Sequence, residues 1–139
     1  MKLIQGDMTI ITNGQELLEI TDKVNSWIKK QEINRGLLTI FIKHTSASLI
    51  IQENASDDVL EDIKKFFTKL VPEDTSLYLH SIEGQDDMPA HIKSLLNQTS
   101  LTIPVLNQKM NLGTWQGIFL FEHRIYPKTR KIILSFIGE

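Results

Sequence analysis

The sequence predicts an α+β fold, mainly antiparallel: a β-sandwich-like sheet carrying about three helices. Two features carry that reading. About six or seven short apolar runs of strand length recur between turn-forming residues, and the last third reads as two long strands. About three segments show helical periodicity, the clearest of them following Ser56.

Met8 to Thr12 and Leu17 to Thr21 flank Asn13-Gly14, a turn-forming pair, and read as a hairpin or as two tightly joined strands. Thr21 or Asp22 then caps a helix with Val24, Trp27, Ile28 and Gln31 on one face, ended by Asn34-Arg35-Gly36. Leu37 to His44 is a strand with apolar residues on both sides, which predicts cover on both faces. Ser56 caps the next helix, whose first turn carries Asp57 and Asp58 where the macrodipole favours negative charge. Its stripe runs through Val59, Leu60, Ile63, Phe66, Phe67 and Leu70, and Pro72 stops it.

Leu77-Tyr78-Leu79-His80 reads as a brief strand, and Gly84 to Asp87 as a turn. Pro89 lies in the first turn of a third helix, with Ile92, Leu95 and Leu96 as its apolar face. Thr99 to Val105 is a strand and Asn107-Gln108-Lys109 a tight turn. Gly113 to Ile137 reads as two long strands joined at Tyr126-Pro127-Lys128-Thr129. Gln116, Ile118, Leu120, Glu122 and Arg124 share one face of the first.

A length of 139 residues predicts one domain, 1–139. A net charge of −2 gives no electrostatic case for nucleic acid or an anionic membrane. With no cysteine, thiolate ligands, thiol nucleophiles and disulfides are excluded, which fits a cytoplasmic protein. The N-terminal residues lack the apolar stretch of a signal peptide, and no run reaches the roughly 20 apolar residues of a membrane span.

The chemistry-bearing stretch is His44-Thr45-Ser46-Ala47-Ser48 through Glu53-Asn54, where polar side chains surround a core-forming Leu49-Ile50-Ile51. Polar groups there must be paired with one another, a ligand or a metal, because burying them unpaired costs roughly 1–3 kcal/mol each. Of four histidines, His44, His80 and His91 stand at element ends, as a three-imidazole zinc site would require. Their spacing matches no short metal motif, so the spacing alone favours structural histidines over ligands at this point. Glu122 faces inward beside Ile118 and Leu120, with Gln116 on the same face and Arg124 as a candidate partner. Asp57, Asp58, Asp62, Asp86 and Asp87 read as capping, turn or solvated groups. Trp27 and Trp115 read as core. Arg124, Lys128, Arg130 and Lys131 form a small basic cluster able to meet a phosphate.

Three ordered motifs carry a family resemblance over essentially the whole chain. They are His44 to Ser48 with Glu53-Asn54-Ala55-Ser56-Asp57; Asp86-Asp87-Met88-Pro89-Ala90-His91; and Ser100 through Leu112-Gly113-Thr114-Trp115-Gln116-Gly117-Ile118 to Glu122-His123-Arg124. Together they resemble the YjbQ, or UPF0047, family. The resemblance implies a compact α+β fold, a homotrimer, and a histidine–carboxylate pocket near a subunit boundary. There His44, His80 and His91 hold a divalent metal, zinc, or magnesium if the substrate is a diphosphate. It implies a secondary thiamine-phosphate synthase, which joins an aminopyrimidine-methyl diphosphate to a thiazole phosphate and releases pyrophosphate. In that scheme Glu122, Glu53 and Arg124 are catalytic, and Thr45, Ser46, Asn54, Gln116 and Arg130 bind a small phosphorylated metabolite. The competing classes are a non-enzymatic metal- or phosphometabolite-binding trimer and a zinc-dependent hydrolase. Two departures stand out: Gln108 where the family usually has glycine, and Ile125-Tyr126-Pro127 where acidic and glycine residues are usual.

Overall fold

The computed structural model describes residues 1–139 and divides eight strands between two antiparallel sheets. In chain order these are β1 (Lys2–Thr12), β2 (Glu16–Glu19), α1 (Thr21–Lys30), β3 (Arg35–Ile42), β4 (Ala47–Glu53), α2 (Asp57–Leu70) and α3 (Asp87–Leu96). Then come β5 (Ser100–Leu106), β6 (Lys109–Met110), β7 (Gln116–Glu122) and β8 (Lys128–Gly138). The larger sheet has the order β1-β8-β3-β5-β6 and the smaller one β2-β7-β4. Period-two burial along β3 and β8 sends Leu38, Ile40, Ile42, Ile132, Leu134 and Phe136 inward. They meet Leu49, Ile118 and Leu120 of the smaller sheet, and Val24 and Ile28 of α1.

Long-range pairing overrides two local expectations. β1 and β2 do not form a hairpin: β1 pairs with β8 from Lys2–Gly138 to Thr12–Lys128, while β2 pairs with β7 in the other sheet. β7 and β8 are likewise consecutive yet in different sheets, so Tyr126-Pro127 turns a corner between layers. The expected strand Leu77 to His80 is a short 3₁₀ turn, Thr75–Leu77, followed by extended chain with Leu79 fully exposed.

Both faces of β3 are apolar in sequence, but the chain covers only one; Leu37 and Phe41 on the other are nearly half exposed. α1 ends earlier than expected, at Gln31, with Glu32 rather than a glycine in the left-handed region at φ 56°. Ser56 precedes α2 in extended conformation, but its hydroxyl donates to Asp58 rather than capping the backbone. The Asn107-Gln108 turn keeps positive φ at both residues, 54° and 63°, so Gln108 adopts the left-handed conformation a glycine would take freely. α3 reverses its expected orientation: Leu95 and Leu96 face outward, and Asp87, Ala90, Lys93 and Ser94 are buried.

Candidate metal centre and the pocket beside it

The reversal of α3 assembles the site. Asp87 and His91 lie one helical turn apart and so share a face. The extended chain before α3 returns His80 to that face. His80 Nε2 lies 2.6 Å and His91 Nε2 3.4 Å from Asp87 Oδ2. One donor atom from each residue falls within 4.8 Å of the other two.

Two of the three donors are aimed from behind. His91 Nδ1 donates to the Thr45 carbonyl at 2.9 Å, which fixes the ring with its other nitrogen, Nε2, facing Asp87. Arg124 donates Nη1 to Asp87 Oδ1 at 2.7 Å and Nε to Asp86 Oδ2 at 2.9 Å, so Asp87 turns its other oxygen to the imidazoles. Burial alone would raise the Asp87 pKa, but the His80 hydrogen bond and the Arg124 charge outweigh it and hold the carboxyl below its ordinary value. The group therefore stays ionised near neutral pH. Two imidazoles, one of them oriented by a backbone carbonyl, plus an ionised carboxylate fit a first-row divalent ion with coordination positions left open.

A cavity of about 430 Å³ opens beside His91, walled by His44, Thr45, Ser94, Leu95, Asn97 and Thr99. Its polar atoms are mainly neutral hydrogen-bonding groups, and its size suits a small metabolite. His44 lines this cavity but does not join the His80–Asp87–His91 group. Its Nε2 accepts the Lys131 backbone N–H at 2.8 Å, so the neutral ring carries its proton on Nδ1 and has no free lone pair. Burial, and then the Arg130 charge, keep His44 below its ordinary pKa and therefore neutral.

Glu122 is completely buried and its oxygens accept from five donors. Oε1 takes Thr12 Oγ1 at 2.6 Å and Arg130 Nε at 2.8 Å; Oε2 takes Arg130 Nη2 at 2.5 Å and the backbone N–H groups of His123 and Arg124. Its ion-pair partner is Arg130 of β8, not Arg124. Saturated and out of solvent, Glu122 braces the site and does not touch a substrate. Arg130, nearly as buried, donates also to the Ser46 carbonyl and hydroxyl, so its Nη2 is committed to holding the loop.

Glu53, Asn54 and Gln116 lie elsewhere. In the β4–β7 ladder Ala47 faces Glu122 at one end and Glu53 faces Gln116 at the other, six residues or about 20 Å away. There Asn54 Nδ2 donates to Glu19 Oε2, Gln116 Oε1 accepts the Gly113 N–H, and Trp115 stands 63% exposed rather than in the core.

Two site features escaped the sequence reading. Asp87 looked like a helix cap, although its i,i+4 relation to His91 is a usable signal. His123 is 1% exposed; Ser48 Oγ lies 2.8 Å from its Nε2, while Nδ1 has no partner.

The motif resemblance is matched by comparison with known proteins. A family model described as UPF0047 protein YjbQ-like matches residues 7–139. A UPF0047 protein of Synechocystis sp. is 51% identical over 97% of this chain and 92% of its own length. The UPF0047 protein YjbQ of Escherichia coli O157:H7 is 42% identical over 97% of this chain and 98% of its own. Among solved structures, a hypothetical protein of Aeropyrum pernix K1 superposes with a TM-score of 0.88 at 29% identity, covering 98% of this chain and 99% of that one. An uncharacterised YjbQ/UPF0047 protein of Clostridium acetobutylicum gives 0.82 at 32% identity, covering 96% and 99%.

Proposed function

This chain belongs to the YjbQ-like UPF0047 family, and we propose that it is a metal-dependent transferase of the thiamine-phosphate synthase type. The C–O bond between the pyrimidine methylene and the diphosphate breaks, its electrons leaving with pyrophosphate. The thiazole nitrogen lone pair forms the new C–N bond. The observation that carries this reading is the convergence of His80 Nε2, Asp87 Oδ2 and His91 Nε2 at the mouth of a polar cavity. A divalent ion held there, zinc on this donor set, would neutralise the charge of the leaving diphosphate.

The chain's own groups do the rest. His44 offers Nδ1–H, and Ser94, Thr99 and Asn97 offer neutral hydrogen bonds to heterocycle or phosphate. Leu95 supplies the single apolar wall. Arg124 holds Asp87 in the orientation binding needs, and Glu122 with Arg130 holds the His44–Ser46 loop against β8. In this reading Asp87 replaces His44 as the third ligand. The working unit is a homotrimer in the cytoplasm, consistent with half-exposed Leu37, Phe41 and Ile137 on one sheet face and with the absence of cysteine. No helix is long and apolar enough to cross a membrane.

The test is turnover. Protein loaded with zinc or magnesium and given both precursors should form thiamine phosphate, measured by chromatography, and Asp87→Asn and His91→Ala should abolish it with the circular dichroism spectrum unchanged. Metal uptake without product would leave a metal-binding module and end the transferase reading.

A further inference from the structure

The two edges of the larger sheet are finished differently. β6 is two residues long, and Asn25 of α1 accepts the Met110 N–H on its Oδ1 at 2.9 Å, which closes that edge. β1, at the opposite edge, is 11 residues long and pairs with β8 without a break from Lys2–Gly138 to Thr12–Lys128. It holds no proline and no bulge, and no backbone hydrogen bond reaches it from its free side. Such an edge presents a row of unpaired N–H and C=O groups, which natural sheets ordinarily shorten, bend or cover.

α1 stands beside this edge and leaves it open. The Trp27 indole lies against Gly6, where a Cβ would come within 2.7 Å of Nε1, and a groove of about 390 Å³ opens between α1 and Met8 to Ile10 of β1. Lys23 and Lys30 lie about one helical turn to either side of Trp27 on the groove wall, and neither is ion-paired. Asp22 is the one acid on that wall. None of these residues lines the cavity beside His91.

A free strand edge with an aromatic and two unpaired cations beside it fits a strand from another molecule. Same-side residues of a strand recur about every 6.8 Å, while Lys23 to Lys30 spans about 10 Å of helix, and the long lysine stems cover the difference. An acid, an apolar residue and a second acid at alternate positions would thus meet lysine, indole and lysine, with the main chain hydrogen-bonded to β1. We infer that the β1 edge and α1 form a docking groove for an extended acidic peptide segment of another protein, which adds a sixth strand to the five-stranded sheet.

The probe is a short capped, fluorescein-labelled peptide in which threonine alternates with glutamate, valine and glutamate. It is titrated with the whole protein and followed by fluorescence anisotropy. Saturable binding is expected, weakened about three- to tenfold in the double variant Lys23→Ser, Lys30→Ser, and lost when lysine replaces both glutamates of the peptide. Two N-methylated peptides separate strand addition from charge attraction. One carries the methyl groups on the threonine amides and the other on the remaining amides. Only alternate amides face the edge, so one form should lose binding and the other keep it. Equal behaviour of the two forms, no binding of the unmethylated peptide, or undiminished binding by the double variant overturns the inference. A changed light-scattering mass for the double variant would place a second copy of this chain on the edge and overturn it as well.

Discussion

Glu122 and Asp87 are both buried carboxylates held by an arginine, yet their oxygens are used differently. Glu122 gives both oxygens to five donors and keeps nothing for a ligand. Asp87 gives Oδ1 to Arg124 and turns Oδ2 toward two imidazoles, one of which remains 44% exposed. Burial therefore does not separate a brace from a ligand. The number of donors already satisfied does, because a saturated carboxylate has no lone pair to offer.

The largest expected effect breaks the brace. Glu122→Gln removes the charge opposite Arg130 and leaves a buried guanidinium uncompensated, which should cost about 3–5 kcal/mol of stability in urea titration. Replacing Glu122 and Arg130 together by leucine and methionine should cost far less, since no charge is stranded. An unchanged urea midpoint for Glu122→Gln would refute the bracing role.

Asp87→Asn should reverse that pattern. Arg124 keeps Asp86 and the Glu83 carbonyl, so stability falls less than in Glu122→Gln. Metal affinity, measured by competition with a chromogenic chelator, should fall by more than the roughly 100-fold that marks the upper end for supporting residues. Arg124→Lys is the intermediate case. Lysine cannot donate to Asp86 and Asp87 in the same planar geometry, so affinity should drop roughly 10–100-fold with every ligand still present. Equal losses for Arg124→Lys and Asp87→Asn would mean that Asp87 acts through its surroundings rather than as a donor atom.

How much of this contrast the sequence reveals depends on the range of the interaction. The inward face of Glu122 follows from strand parity with Ile118 and Leu120, and α2 follows from its 3.6-residue stripe; both are local. The partner of Glu122 is not local. β7 ends at Glu122, so parity no longer governs Arg124, and Arg130 arrives from β8 in the other sheet. The same limit explains the false hairpins: β1 pairs with a strand at the far end of the chain, which adjacent turn residues cannot report. The polar inner face of α3 misleads hydrophobic patterning because the helix meets Arg124 and the Thr45 and Ala47 carbonyls through polar atoms. His44 loses its ligand role to a backbone N–H that no side-chain motif encodes.

The smallest effect concerns His123, next to Glu122 in the chain and as deeply buried. Burial first, and then the Lys93 and Arg130 charges, push its pKa down to about 3. An unfolded imidazole titrates near ~6.5, so between those values the unfolded chain binds the extra proton. The stability it contributes is thus complete above about pH 6.5 and is lost as pH falls toward 3, with a slope approaching 1.4 kcal/mol per pH unit, to about that precision. His44, also lowered, acts in the same direction. The geometry agrees: Nδ1 has no hydrogen-bond partner, and the neighbouring Phe121 ring, 4.4 Å away between centroids, brings no oxygen or nitrogen acceptor to a protonated ring. Urea midpoints of metal-free protein, compared from pH 7 to 5, should therefore decline less steeply in His123→Gln by close to one proton. Metal-free conditions keep proton competition at His80 and His91 out of the slope. If the slope is unchanged, His123 is not the source of the acid sensitivity, and its burial beside Glu122 serves packing alone.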